Sequence, residues 1–463
     1  MFQTFQSYFS KSIPPHEENN EEMIKCFPFK YGIEEKDAEL ILNCTAQALL
    51  NVKRFKERGN EFYNNGRYQD AANEYTKAMA TFTFKRINAS GLSDTSPVQD
   101  TDASLDTQDT IKLYSTLLSN RSVSMRKLGR YENAKKDAEQ VIIMRPTWFK
   151  GYFRKAEALS ELRQFEEAKN FFLKSLKLEP GYEERIRRYI TFLNKELENK
   201  EMGLEIYQMV PGREICLKSL KTPIQNIIFQ FSYEMQNLLY IIGDAKTRDC
   251  VLVDACWDID GILEYSKKVN LNVVGAYYTH YHIDHVGGIP PAPYDKYYVR
   301  VDGLVKLSKK LPDIPIYIHE EDFDGLFNAN PEIEKSRLTL VKDGEVFDMP
   351  SNEGKDTTNV KFKIIHTPGH SPGSMCILVN DKRLFTGDTL FNGIFGRCDF
   401  PDSDKRKMFE SLNKLKNLDE NILILPGHNY SGEWTTIKEQ KNNGPLYEYD
   451  YETWAMKYTG SIE

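Results

Sequence analysis

The sequence withholds three things at once: a long apolar run, a paired cysteine motif and a basic excess. No stretch approaches the roughly 18 consecutive apolar residues that a membrane span requires. The seven cysteines (Cys26, Cys44, Cys216, Cys250, Cys256, Cys376 and Cys398) include no CxxC pair and form no even framework. In a chain of 463 residues they read as free thiols in a reducing compartment, which points to the cytosol. The formal net charge of −7 excludes a general nucleic-acid binder, which needs a basic face, although it leaves room for a local basic groove. The start, MFQTFQSYFSKSI, has one Lys, no Arg and no continuous apolar core. It is no secretory signal, and the acidic residues that follow at once weigh against a mitochondrial presequence. What remains is an ordinary globular composition, 40% hydrophobic and long enough for about three average domains.

From about residue 46 to 200 the chain is rich in Ala, Lys, Glu, Leu and Tyr and almost free of Pro. Ala134 and Ala168 stand 34 residues apart, as do Pro146 and Pro180, and Tyr131 is matched by Phe165. Gly66, Tyr68, Ala71, Tyr75 and Ala78 form an earlier copy without the proline. A 34-residue period is that of the tetratricopeptide repeat, a helix–turn–helix unit. Small Ala residues let paired helices approach, while aromatics fill the groove between hairpins. The copies start near 52, 115 and 149. An insertion, 86–110, therefore separates the first two, and its Ser/Asp/Thr content suits a flexible loop. The stretch GYEERIRRYITFLNKELENKE reads as a polar-sided helix capping the solenoid. Residues 1–45 read as a partly flexible extension.

After residue 200 the texture changes. NLLYIIGD, CVLVDAC, NVVGAYYTH, KFKIIHT, SMCILVN and NILILPGH are short, apolar and bounded by Gly, Pro, Asn or Asp. They read as buried strands, and helical patterns alternate with them, which gives a sandwich of sheets inside and helices outside. Of only eight histidines, three fall in THYHIDHVGG: His280, His282 and His285, with Asp284 between the last two. His370, Asp388 and His428 follow other apolar runs and, like these, have glycine beside them. Imidazole and carboxylate suit zinc, iron or manganese, and so many on strand-end loops are poorly explained by packing. His319 and His366 read as structural, and His16 as part of a solvated tail.

Two resemblances sharpen this. The HxHxDH motif, with HTPGHSPGS, FTGDTLF and PGHNY, resembles the metallo-β-lactamase superfamily over roughly residues 205–445. The resemblance implies an αββα sandwich holding two divalent ions, zinc foremost, with iron or manganese open. It implies His280, His282 and His370 as ligands of the first ion and Asp284, His285 and His428 as ligands of the second. Asp388 would bridge them, and Asp254 would support a ligand. Asp284 would also orient a metal-activated hydroxide that attacks a carbonyl, so no serine or cysteine nucleophile is needed. Cys398, in GRCDF, is then a bystander. Within the superfamily the likeness is to the glyoxalase II-like thioester hydrolases, in their short, single-domain form. The segment PPAPYDKYYVRVDGLVKLSKKLPD reads either as pocket lining or as a surface loop.

The repeats, through FKERGNEF, LLSNRSVSM and FKGYFRKAEAL, resemble the co-chaperone type that binds chaperone C-termini. That family clamps a peptide's terminal carboxylate and an Asp side chain, and the matching residues are Lys56, Asn60, Asn120, Lys150 and Arg154. Lys56 with Asn60, and Lys150 with Arg154, are i,i+4 pairs, so each pair projects from one helix face. The expected protein is thus multidomain, with repeats at 46–200 and a hydrolase-like domain at 201–463. It would be a hydrolase of thioesters or small acyl compounds that docks on chaperones, with no nucleic-acid or membrane partner. An iron-dependent persulfide dioxygenase and an adaptor with a vestigial hydrolase domain are the alternatives.

Overall fold

The computed structural model describes residues 38–43, 46–88, 107–216, 223–290, 300–350 and 358–461. Most of the 1–45 extension, His16 included, lies outside them. So do residues 89–106 of the insertion and residues 291–299 of the segment after the HxHxDH motif. The chain forms two compact units. One runs to Arg163 and takes in Phe171–Gly181; the other comprises Gln164–Asn170 and everything from Tyr182 onward.

The repeats fold as three helical hairpins, α1 (Ala46–Asn64) with α2 (Tyr68–Ala80), α3 (Thr107–Lys127) with α4 (Tyr131–Met144), and α5 (Phe149–Glu161) with α6 (Phe165–Leu178). Their second helices begin at Tyr68, Tyr131 and Phe165, 63 and 34 residues apart as the copies in the sequence are, whereas α1 and α3 begin six to eight residues before the starts read from the sequence. Ala71, Ala72, Ala78, Ala134, Ala138, Ala156 and Ala158 are fully or almost fully buried, as close helix packing requires. The second hairpin is also tied by a buried, two-pronged ion pair in which Arg121 on α3 donates to Asp137 on α4 at 2.7 and 2.8 Å. One feature has no counterpart in a simple solenoid. Strand β1 (Ala38–Asn43) pairs antiparallel with β2 (Thr83–Asn88), so part of the extension meets the beginning of the insertion.

In the C-terminal unit, one sheet has the order β3 (Leu204–Met209), β4 (Leu239–Asp244), β5 (Asp249–Val253), β6 (Asn272–Tyr277), β7 (Ile316–His319), β8 (Thr339–Val341). The other runs from β14 (Thr435–Thr436) through β13 (Leu423–Pro426), β12 (Arg383–Gly387), β11 (Met375–Val379) and β10 (Lys361–His366) to β9 (Val346–Asp348). Successive side chains of a strand point to opposite faces, and here both faces are apolar. Val251 and Val253 of β5 and Ile377 and Val379 of β11 meet in the core between the sheets. Cys250 and Leu252 face outward under the helix Ile259–Lys268, while Cys376 and Leu378 face outward under Lys405–Lys416. Burial on both sides explains why these strands read as unbroken apolar runs.

Strands β5 to β8 are mutually parallel, as are β12 and β13. β10 shares the direction of β12, because each is antiparallel to β11. The carboxyl ends of β5 and β6 in one sheet, and of β10, β12 and β13 in the other, carry the loops with the histidines and aspartates.

The helix expected to cap the solenoid, α7 (Glu183–Glu201), belongs to the C-terminal unit. Arg383 on β12 has no exposed surface and reaches into α7. Its Nε donates to Asn199 Oδ1 at 2.6 Å, and its Nη2 donates to the Lys195 carbonyl at 2.6 Å and to Glu198 at 3.1 Å. Phe192 stacks on Trp434 at 5.4 Å. Replacing Asn199 with Ala leaves the buried Arg383 Nε–H without its acceptor, at a cost of about 1–3 kcal/mol. Urea unfolding of the full chain, followed at the tryptophans, should show that loss in the C-terminal unit. An unchanged midpoint would mean that the Arg383–Asn199 bond does not help hold α7.

Candidate metal centre and peptide groove

Each strand-end loop delivers its donors by local geometry. Thr279 and His280 follow β6, and Asp254 follows β5 in the left-handed region at φ 54°, a conformation uncommon outside glycine. The Asp254 carboxylate accepts the Thr279 N–H at 2.7 Å and its hydroxyl at 2.8 Å. The other Asp254 contact is His285 Nδ1, at 3.0 Å. Gly387, at φ 47°, turns the chain from β12 into Asp388, and a side chain there would collide with Thr279. A Cβ on Gly427 would lie 2.7 Å from Asp388 Oδ1. Those glycines let three loops close on one point.

The donor atoms then crowd together. His282 Nδ1 lies 2.8 Å from His370 Nε2, and His285 Nε2 lies 3.2 Å from His428 Nε2. Asp388 is 3.3 Å from His285, 3.4 Å from His428 and 3.5 Å from His370. Asp284 is 3.3 Å from His428 and 3.5 Å from His285. All seven expected ligands are thereby gathered, with His282 the least buried. The far nitrogens are committed elsewhere: His370 Nδ1 to the Arg397 carbonyl at 2.8 Å and His428 Nδ1 to the Met235 carbonyl at 2.7 Å. With Nδ1–H donating outward in these two, and to Asp254 in His285, each Nε2 lone pair is aimed inward.

These residues fit a pair of divalent ions. His280 Nε2 is fully buried with no hydrogen-bond partner among the described residues. Burial drives the His280 imidazolium well below its usual range and pushes His282 down to about 4, with His370 next to it adding to the effect. Burial would lower His285 and His428 too, but Asp284 and Asp388 more than reverse it, holding His285 well above its usual range and His428 up at about 9. A proton on those rings does what a cation would do between the same carboxylates. Sulfur takes no part. The buried Cys256 thiol donates to the Asp284 carbonyl at 2.6 Å, and burial, with Asp399 beyond it, pushes the Cys398 thiol up to about 12, far from a nucleophile.

His319 and His366 come together near Glu321, but their rings stack at 3.8 Å and 11°. Lone pairs lie in the ring planes, so parallel rings do not converge on one ion. His366 Nε2 donates instead to the Pro372 carbonyl at 2.8 Å, and His319 Nδ1 accepts the Glu321 N–H at 3.3 Å, as structural histidines do.

Three neighbours carry no signature in the sequence. The indole N–H of buried Trp257 donates to Asn237 Oδ1 at 3.1 Å. Because indole nitrogen only donates, the amide's NH2 end must face the site, where it reaches Asp284 Oδ2 at 3.2 Å. Tyr430, two residues past His428, stacks on that ring at 4.7 Å and 10°. A lone Asn or Trp beside an apolar strand gives no hint of this, whereas a Tyr so close to a ligand could have been suspected.

In the repeats, Asn60 and Asn120 meet across two hairpins: Asn60 Oδ1 accepts the Asn120 amide at 3.2 Å and the Tyr75 hydroxyl at 2.8 Å. Lys56 is half-buried one turn before Asn60. Lys150 and Arg154 share a face of α5, and burial together with the Arg154 charge lowers the Lys150 ammonium. Arg154 donates at 2.7 Å to Glu157, a buried carboxylate that also faces Arg126 at 3.5 Å.

Comparison with known proteins agrees with both halves. The family model "Metallo-beta-lactamase superfamily" matches residues 303–428, and "Tetratricopeptide repeat" matches residues 149–182. Hydroxyacylglutathione hydrolase GloC of Haemophilus influenzae is 30% identical over 217 residues, which is 46% of this chain and 92% of that protein. The probable polyketide biosynthesis zinc-dependent hydrolase BaeB of Bacillus velezensis is 27% identical over 195 residues, 42% of this chain and 73% of that protein. Among solved structures, the second repeat domain of human RPAP3 in complex with an HSP70 peptide is 24% identical over 32% of this chain and 98% of that one, with a TM-score of 0.24.

Proposed function

Because this chain belongs to the metallo-β-lactamase superfamily and carries tetratricopeptide repeats before that domain, we propose that its C-terminal unit is a binuclear metal-dependent hydrolase of thioesters or related small acyl compounds. The observation that carries the proposal is the complete set of nitrogen and oxygen donors, buried and aimed inward, at one edge of the sandwich. A vestigial domain would be expected to have lost part of that set. His280, His282 and His370 would hold one ion, Asp284, His285 and His428 the other, and Asp388 both, with zinc favoured and iron or manganese admissible. When bound, such a pair acidifies a shared water and polarises the acyl carbonyl.

The chain's own groups do the rest. Asp284 is the catalytic carboxylate, accepting a hydrogen bond from the attacking water and so setting its direction. Asn237, held by Trp257, keeps the carboxylate turned into the site. Asp254 fixes the His285 tautomer, and Tyr430 covers one face of His428. The similarity to GloC, whose name specifies a hydroxyacylglutathione, favours a thioester.

For the N-terminal unit, the five clamp residues support binding of an acidic C-terminal peptide of the chaperone kind, with Asn60 and Asn120 donating to carboxylate and Lys56, Lys150 and Arg154 supplying charge. The five cysteines among the described residues are free, in keeping with a cytosolic location.

A panel of acyl thioesters that includes S-lactoylglutathione tests the first half. Wild type should hydrolyse at least one of them, a chelator should abolish the activity and added zinc restore it, and His282→Ala should be inactive. Oxygen uptake on glutathione persulfide without thioester hydrolysis would point instead to an iron dioxygenase. For the second half, a peptide ending in Glu-Glu-Val-Asp should bind, and Lys150→Ala should weaken it by about tenfold or more, the worth of one charge-assisted hydrogen bond. Equal affinity in the variant would argue against the clamp.

A further inference from the structure

Beside the metal ligands lies a carboxylate that none of the roles above uses. Asp322 ends the short turn Glu320–Asp322 that follows β7, and it is 1% exposed. No Lys, Arg or His pairs with it among the described residues. A buried carboxyl group without a counter-charge needs hydrogen bonds to replace its water, and here three do so. Oδ2 accepts the Tyr281 N–H at 2.9 Å and the Ser371 hydroxyl at 2.9 Å, while Oδ1 accepts the Gly373 N–H at 2.5 Å.

The identity of those donors is what matters. Tyr281 stands between His280 and His282, and Ser371 and Gly373 follow His370. One side chain thus ties together the two loops that bring His282 Nδ1 and His370 Nε2 to 2.8 Å. The surroundings are built to admit it. A Cβ on Gly373 would sit 2.5 Å from the Asp322 nitrogen, and a Cβ on Gly325 would meet the Tyr281 ring at 2.8 Å. Tyr281 is pinned at its far end as well, its hydroxyl donating to Asp402 at 2.5 Å. Only a carboxylate offers two acceptor oxygens and no donor. An amide would turn its NH2 toward one of the two backbone N–H groups.

The geometry points to Asp322 as a positioning residue for the first metal site, which sets the spacing of His280, His282 and His370 without touching the ion. The inference rests on the metal assignment proposed above. Its test is metal binding by the full chain, measured by zinc competition with a chromophoric chelator and by the visible bands of the cobalt(II)-loaded protein. Asp322→Asn should weaken one of the two ions by about 10- to 100-fold, the range found when partners behind metal ligands are removed, and should shift the cobalt bands. Asn199→Ala, which loosens the same unit far from these loops, should leave both readouts as in wild type. Wild-type affinity and bands in Asp322→Asn, or equal losses in both variants, would overturn the inference while the hydrolase assignment stood. A wild type that takes up no metal would sink both. Should Asp322→Asn fail to fold, Ser371→Ala decides, because it removes one of the three donors: a several-fold loss of affinity supports the tether, and wild-type affinity refutes it.

Discussion

Imidazole nitrogens and carboxylate oxygens cannot lie within about 3.5 Å of one another in a dry interior unless protons or cations sit between them. The C-terminal unit holds four histidine nitrogens and two carboxylates at that separation, with a fifth histidine, His280, buried beside them, its Nδ1 on the Thr279 hydroxyl and its Nε2 without a hydrogen-bond partner among the described residues. Everything else in this half can be understood as the scaffold that makes such crowding bearable. Outward-facing nitrogens are spent on backbone carbonyls and Asp254, which leaves the inward ones facing one another and the carboxylates. Neutral donors such as Asn237 and the Thr279 hydroxyl hold the carboxylates in place without adding charge.

The sheets supply the convergence. Parallel strands end on the same edge, and in open sheets ligands gather beyond the carboxyl ends of strands. Here two sheets face each other, so the histidines and aspartates that follow β6 in one and β10, β12 and β13 in the other close on a common point. The repeat unit obeys a different rule. Its charges lie on helix faces and are half-exposed, and buried Glu157 holds Arg154 without burying it. One half therefore presents a buried cluster of nitrogen and oxygen donors, the other a half-exposed face of amides and cations.

Much of this was legible in the sequence, and the rest was hidden for identifiable reasons. The recurring Ala and aromatic pattern, at a 34-residue interval for the last two copies and across an insertion for the first, located the three hairpins, because each must repeat the same small-residue contacts. The seven clustered donors were legible because their types are rare and their glycine neighbours mark tight turns. The helix Glu183–Glu201 was legible as a helix that meets α6, as it does through the Lys169–Asn194 and Lys200–Glu166 bonds at 2.7 and 3.4 Å, but its hold on the strand β12 was not. An amphipathic pattern says which face is buried, not against what, and the partner that fixes it, Arg383, lies far along the chain in a strand. The β1–β2 pairing spans the whole first hairpin, and no local pattern announces so distant a partner. Asn237, Trp257 and Asp322 act through single hydrogen bonds between remote segments, which leave no periodicity to read. In EED, nothing distinguished the buried carboxylate from its two exposed neighbours.

The central claim is that this chain assembles a two-ion centre from nitrogen and oxygen ligands alone. X-ray absorption at the metal edge, combined with metal content by mass spectrometry on the same purified full-length protein, tests it most directly. The account predicts two transition-metal ions per chain and an inner shell of nitrogen and oxygen with an imidazole signature. A sulfur neighbour from Cys256 or Cys398, or a protein that purifies and reconstitutes without bound metal, would contradict it.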